Sequence, residues 1–111
     1  MTLIYHLTYK DAWENARPTG EYAAPSLAEE GFLHCSKDIP QLLKVAERLY
    51  PGETNLMVLD VDLDKLTAPL KHEPSRSGEI YPHIYGKLNA GAVIRERALL
   101  VNLEGGHHLE A

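Results

Sequence analysis

Residues 55–62, Asn-Leu-Met-Val-Leu-Asp-Val-Asp, are the most apolar run in the chain, and the other elements must be arranged around them. Leu56, Val58 and Val61 give this stretch the branched, apolar character of a central strand, and Leu63 to Leu66 read as the turn that follows it. A central strand needs partners, and residues 2–8 supply one. Leu3, Tyr5 and Leu7 fall on one face of an alternating segment, with Ile4, His6 and Thr8 on the other.

Helices are marked by their ends. Lys10 to Arg17 reads as a short helix with Trp13 buried, closed by Pro18 and Gly20, and Gly20-Glu21-Tyr22 as a brief extended piece crossing back over the core. Ser26 is placed to cap one turn over Leu27 to Glu30, with Gly31 beyond its end. After a strand at Phe32 to Cys35, the apolar positions Ile39, Leu42, Leu43, Val45, Ala46 and Leu49 form the stripe of an amphipathic helix. Ser36 is one candidate N-cap, Asp38 with Gln41 has the spacing of a capping box, and Pro51-Gly52 stops the helix.

The remainder reads as a strand over 69–73, a mobile loop at Pro74-Ser75-Arg76-Ser77-Gly78, the aromatic segment Tyr81–Gly86, and a strand at 93–97 in a region (92–103) whose period also fits a helix. Residues 1–104 are expected to form a single α+β domain, a small mixed sheet flanked by a few helices, and 105–111 a frayed tail. A chain of 111 residues suits one domain that buries roughly 65% of its unfolded surface.

With 11 basic and 16 acidic residues the net charge is −5, which argues against a phosphate-tracking surface and against nucleic acid as partner. Cys35 is the only cysteine, so no intrachain disulfide forms; no signal segment or membrane-length apolar run is visible, and a cytoplasmic location is expected. The sequence carries no signature of oligomeric state.

Chemistry concentrates in Gly31-Phe32-Leu33-His34-Cys35-Ser36. His34 and Ser36, two apart, share one side of an extended strand at the entrance to a helix, whose free N–H groups suit an anion. The plainer reading gives Ser36 a capping role and His34 a backbone carbonyl. Cys35 points the other way and reads as core. His6 and His83 sit in equally apolar settings, and three imidazoles at one cleft could hold zinc, but no HxH, HxxxH or CxxC spacing supports it, so no metal ligands are assigned. In the late segment Tyr81 and Tyr85 can stack on a flat ring, His83 can bond a sugar hydroxyl, and Gly86 permits close backbone approach; a packed aromatic turn explains the same residues. Glu73 and Glu79 flank the mobile loop, either able to bring a carboxylate to the cleft, and Arg76 lies within it.

Together, Ile4-Tyr5-His6-Leu7, Gly31–Ser36 and the stretch Pro82-His83-Ile84-Tyr85-Gly86-Lys87-Leu88-Asn89 resemble the motifs of the DUF952 family of small uncharacterised proteins. The resemblance implies a fold similar to the ADP-ribosyltransferase catalytic domain, a split mixed β-sandwich holding NAD between its two sheets. His6 then resembles the first-strand residue of that superfamily, and His34 with Ser36 the second-strand unit, the histidine holding a ribose hydroxyl. His83 and Tyr85 stand where a third-strand glutamate is expected, with Glu79 nearby.

The resemblance thus makes His34, His83 and Glu79 the candidates for catalysis, and His6, Ser36, Tyr81, Tyr85 and Gly86 for binding NAD or a similar small nucleotide. Active transferases use their glutamate to help break the nicotinamide–ribose bond through an oxocarbenium-like state, whereas a histidine in its place implies binding without transfer. Three readings follow: ADP-ribosyl transfer or nicotinamide–ribose cleavage, a non-catalytic nucleotide sensor, and a histidine metal site.

Overall fold

The computed structural model describes Thr2 to Glu110; Met1 and Ala111, the outer limits of the expected domain and tail, lie outside the described residues. The apolar run forms β4 (Leu56–Asp62), and all seven of its residues are buried. Two cores account for this. Met57, Leu59 and Val61 belong to the larger, with Trp13, Leu33, Ile84 and Leu88, while Leu56 and Val58 belong to the smaller, with Leu42, Ala46 and Leu99. Alternation along the strand sends successive side chains to opposite faces, so β4 separates the two cores.

β4 pairs antiparallel with β1 (Leu3–Tyr9) on one side and β8 (Val93–Val101) on the other. β8 runs beyond the expected 93–97, because pairing with β4 decides what the ambiguous period of 92–103 did not. The tail, expected to fray, instead supplies β9 (His107–Leu109), which extends this sheet beyond β8. His107 is buried there, and its Nε2 donates to the carbonyl of Glu53 over 3.3 Å.

A second sheet has three strands: β3 (Leu33–His34), the central β6 (Ile80–Ile84) and β5 (Leu70–Pro74). The aromatic segment is therefore mainly a strand. Pro82 is tolerated inside it because β3 ends at His34; opposite Pro82 the chain is already leaving, and Cys35 N donates to the Pro82 carbonyl over 3.0 Å. A third, short ladder joins β2 (Glu21–Tyr22) to β7 (Leu88–Asn89).

Among the described residues every strand pairing is antiparallel, which corrects the expectation of a mixed sheet. The reason lies in the helices α1 (Lys10–Ala16), α2 (Pro25–Glu30) and α3 (Ile39–Leu49). The units β1–α1–β2, β2–α2–β3 and β3–α3–β4 each deliver their two strands to different sheets, so no crossover returns to a parallel neighbour. The class is α+β, with a curled antiparallel sheet and few helices.

α1 buries Trp13. In α2, Pro25 occupies the first turn after an extended Ala24, so the cap is Ala24 and Ser26 lies inside the helix. α3 is capped by Asp38, whose carboxylate accepts from Gln41 N over 2.8 Å, while Gln41 Oε1 accepts from Lys37 N over 2.8 Å. Such a cap stabilises by about 1 kcal/mol and removes Ser36 from that role. No helix among the described residues is long and apolar enough to cross a membrane.

Candidate functional site

The first and second sheets meet at one isolated bridge: Tyr5 N donates to Ser36 O over 2.9 Å and Ser36 N to Tyr5 O over 2.7 Å. Past it, β1 and β3 part. A cavity of about 710 Å³ opens there, bounded by β1, α2, β3, the last turn of α3 and the start of the 74–78 loop. That volume lies within the range of small-molecule sites, roughly 300–1,000 Å³. Because N–H and C=O directions repeat every second residue in a strand, Leu7 presents its backbone pair to the same side as Tyr5, where β3 no longer runs alongside.

Buried residues of the lining include His6, Thr8, Tyr22, Cys35 and Ser36. His6 Nδ1 lies 2.6 Å from the His34 carbonyl, and since a carbonyl only accepts, that nitrogen carries the proton. Burial lowers the His6 pKa to about 4, so the ring is neutral at pH 7 and Nε2 is a bare acceptor. Nε2 is buried, and among the described residues it has no partner. Thr8 and Tyr22 close on each other through hydroxyls 2.5 Å apart. Cys35 belongs to the larger core and also reaches the cavity; burial alone pushes its thiol well above the usual range, so it is no nucleophile.

At the rim, His34 is exposed and its Nε2 lies 2.5 Å from Glu30 Oε2. Gly31, in the left-handed region at φ +86°, turns the chain sharply after α2 and lets Glu30 fold back toward β3. His34 and His83 are register partners across β3 and β6, with ring centroids 5.0 Å apart. Phe32 stacks on His83 at 4.0 Å and 19°. His83 Nδ1 donates to Glu73 Oε1 over 2.9 Å, and Tyr85 Oη donates to the same oxygen over 2.5 Å. These two bonds, that of Tyr85 foremost, hold the Glu73 carboxyl below its usual range. The carboxylate orients the His83 ring by its Nδ1 side, and among the described residues Nε2 makes no hydrogen bond.

The structure brings His6, His34, Ser36, Tyr81 and His83 to one cavity. Glu79, Tyr85 and Gly86 do not line it. Glu79 accepts from Gln41 Nε2 over 3.1 Å and stands 3.8 Å from Lys44 Nζ, which ties α3 to the second sheet and, through Gln41 first, lowers the carboxyl pKa. Tyr85 is turned to Glu73, with Lys71 Nζ 4.6 Å above its ring. Gly86 has φ +152°, and a Cβ there would meet Ala68 Cβ at 3.0 Å, so its close approach is to Ala68.

Sequence reasoning missed Glu30, Phe32, Tyr22 and Arg48 as lining residues. Phe32 carried a signal, the period-two spacing with His34. Of the two glutamates flanking the mobile loop, Glu79 was the catalytic candidate, whereas it is Glu73 that is bonded to His83. Among the described residues no group of three or more His, Cys, Asp or Glu side chains is set to hold a metal ion. His34 and His83 are each bonded to their own carboxylate, and His6 faces a carbonyl.

These features define a small α+β domain with an aromatic, histidine-lined cleft at the split between two antiparallel sheets. Residues 7–96 match the family described as Protein of unknown function (DUF952), and the chain belongs to that family. It is similar to protein CC0527 from Caulobacter crescentus, a structural-genomics target. The crystal structure of that protein is 34% identical, with TM-score 0.84, covering 96% of this chain and 94% of that one. Its solution structure is 33% identical, with TM-score 0.81, covering 96% and 91%. No curated protein matches the chain.

Proposed function

We propose that the cleft binds a small nucleotide of the NAD or ADP-ribose kind, and that the domain acts first as a binding module. The observation that carries this reading is that His6 lines an aromatic cavity and its Nε2 is a buried acceptor with no partner among the described residues. Leaving such a group unsatisfied costs about 1–3 kcal/mol, which a ligand N–H or O–H removes. Leu7 adds a backbone donor and acceptor one residue along, and Tyr81, Tyr22 and Phe32 give apolar surface for a flat ring. The ADP-ribosyltransferase-like resemblance points to the same ligand class.

Transfer or nicotinamide–ribose cleavage is the second reading, favoured by the Glu30–His34 pair at the rim. As the nicotinamide leaves with the bond's electron pair, the Glu30 carboxylate would stabilise positive charge developing on the ribose. His83 Nε2 would take the proton from the attacking hydroxyl or water. Glu79, tied to Gln41, has no part in it.

The test is thermal melting with NAD and with ADP-ribose. Either should raise the melting temperature by several degrees at millimolar concentration, with the rise lost in His34→Ala. Nicotinamide release on prolonged incubation decides for the second reading. Unchanged melting with both compounds would sink both readings.

A further inference from the structure

The chain has five arginines, Arg17, Arg48, Arg76, Arg95 and Arg97. Arg17 is paired with Glu96, and Arg95 and Arg97 with Asp60. Arg48 and Arg76 have no carboxylate partner among the described residues, although acidic residues outnumber basic ones 16 to 11. These two meet. Arg48, in the last turn of α3, and Arg76, in the loop between β5 and β6, line one concavity of about 310 Å³ with Ser75 and Ser77. Arg48, Ser75 and Arg76 also line the main cavity, so the two spaces share a wall.

The site expected for phosphate was the entrance of α3 near Ser36. There the Asp38 carboxylate already occupies the helix N-terminus and competes with an anion, and the backbone of Ser36 is held in the bridge to Tyr5. We propose that Arg48 and Arg76, with the hydroxyls of Ser75 and Ser77, form an anion subsite for the phosphate or pyrophosphate of the ligand bound in the cleft. Two guanidinium forks and two hydroxyls match a group rich in acceptor oxygens. Ser75 Oγ and Ser77 Oγ are 2.9 Å apart, so their protons can be shared between each other and an anion. The helix dipole at the end of α3 favours Arg48 as a cation there and disfavours an anion, so the arginines must outweigh it. This subsite rests on the nucleotide reading of the cleft.

The test separates the two. Calorimetric titrations of wild type and of the Arg48→Gln/Arg76→Gln double variant are run with ADP-ribose, adenosine and inorganic pyrophosphate. Both arginines are exposed, so the variant should melt like wild type. ADP-ribose should bind the double variant at least ~10-fold more weakly, adenosine should bind both proteins alike, and pyrophosphate should bind wild type alone, more weakly as salt rises. Equal ADP-ribose affinity in the two proteins would overturn the subsite and leave the cleft standing. Pyrophosphate binding without ADP-ribose or adenosine binding would overturn the cleft and leave the anion site. Pyrophosphate that fails to bind wild type would overturn the anion site.

Discussion

Asp60 and Glu73 are both strand carboxylates held by two donors from their surroundings, yet they do opposite things. Asp60, at the centre of β4, is fully buried and takes Arg95 Nε over 3.1 Å and Arg97 over 2.8 Å from β8. Its charge is spent between strands of one sheet. Glu73, on the edge strand β5, is held by His83 and Tyr85 and is half exposed. There one donor is an imidazole with a second nitrogen to offer, and that nitrogen stays open. A carboxylate paired with guanidinium closes a structure, while one paired with imidazole prepares a proton acceptor.

The largest effect is expected where that comparison is most one-sided. Asp60→Ala leaves Arg97 mostly enclosed and without its anion, and should cost about 3 kcal/mol in urea unfolding; Arg95, more exposed, contributes little. Ligand-induced melting shifts should survive, scaled to the weaker fold. A cost under about 1 kcal/mol would erase the contrast with Glu73.

Next is the acid response of His6. Its folded pKa of about 4 lies below the ordinary histidine value of 6.5, so as pH falls through 6.5 the unfolded chain takes a proton that the folded chain refuses. Stability is therefore full above about pH 6.5 and declines toward pH 4, by roughly 2 kcal/mol at about pH 5. His6→Asn, which keeps a donor for the His34 carbonyl, should be less stable at neutral pH but flatter across this window. A variant with the parent's slope would assign the acid lability elsewhere.

Smaller in stability, but sharper on function, is Glu73→Gln. The fold should hold, while nitrogen chemical shifts of His83 should show a mixture of tautomers in place of one protonated at Nδ1. Retention of the single tautomer would mean that Glu73 does not set it. Tyr85→Phe should do least, raising the Glu73 carboxyl toward its ordinary range, as carbon chemical shifts during titration would record. An unmoved titration would remove Tyr85 from the cluster.

The parts of the fold governed by local chemistry were legible in the sequence. Leu56, Val58 and Val61 marked the central strand, and Asp38 with Gln41 marked the start of α3. Long-range pairing was not legible. Nothing in His107-His108-Leu109 announces a strand until β8 is beside it, and the period of 92–103 was settled only by β4. At the site, three histidines could be singled out by their apolar neighbours. Their partners could not, because Glu30 reaches His34 through a turn at Gly31, and Glu73 reaches His83 across a sheet. Glu79, not Glu73, was the catalytic candidate, but Gln41 from α3 claims it.

The central claim is that His6 Nε2 waits for a ligand donor, and imidazole nitrogen spectroscopy reads that atom directly. On titration with ADP-ribose, the His6 Nε2 resonance should move from the position of a free acceptor to that of a hydrogen-bonded one, while Nδ1 stays protonated against the His34 carbonyl. A His6 Nε2 resonance unchanged at millimolar ADP-ribose would contradict the account and leave His6 as a histidine of the core.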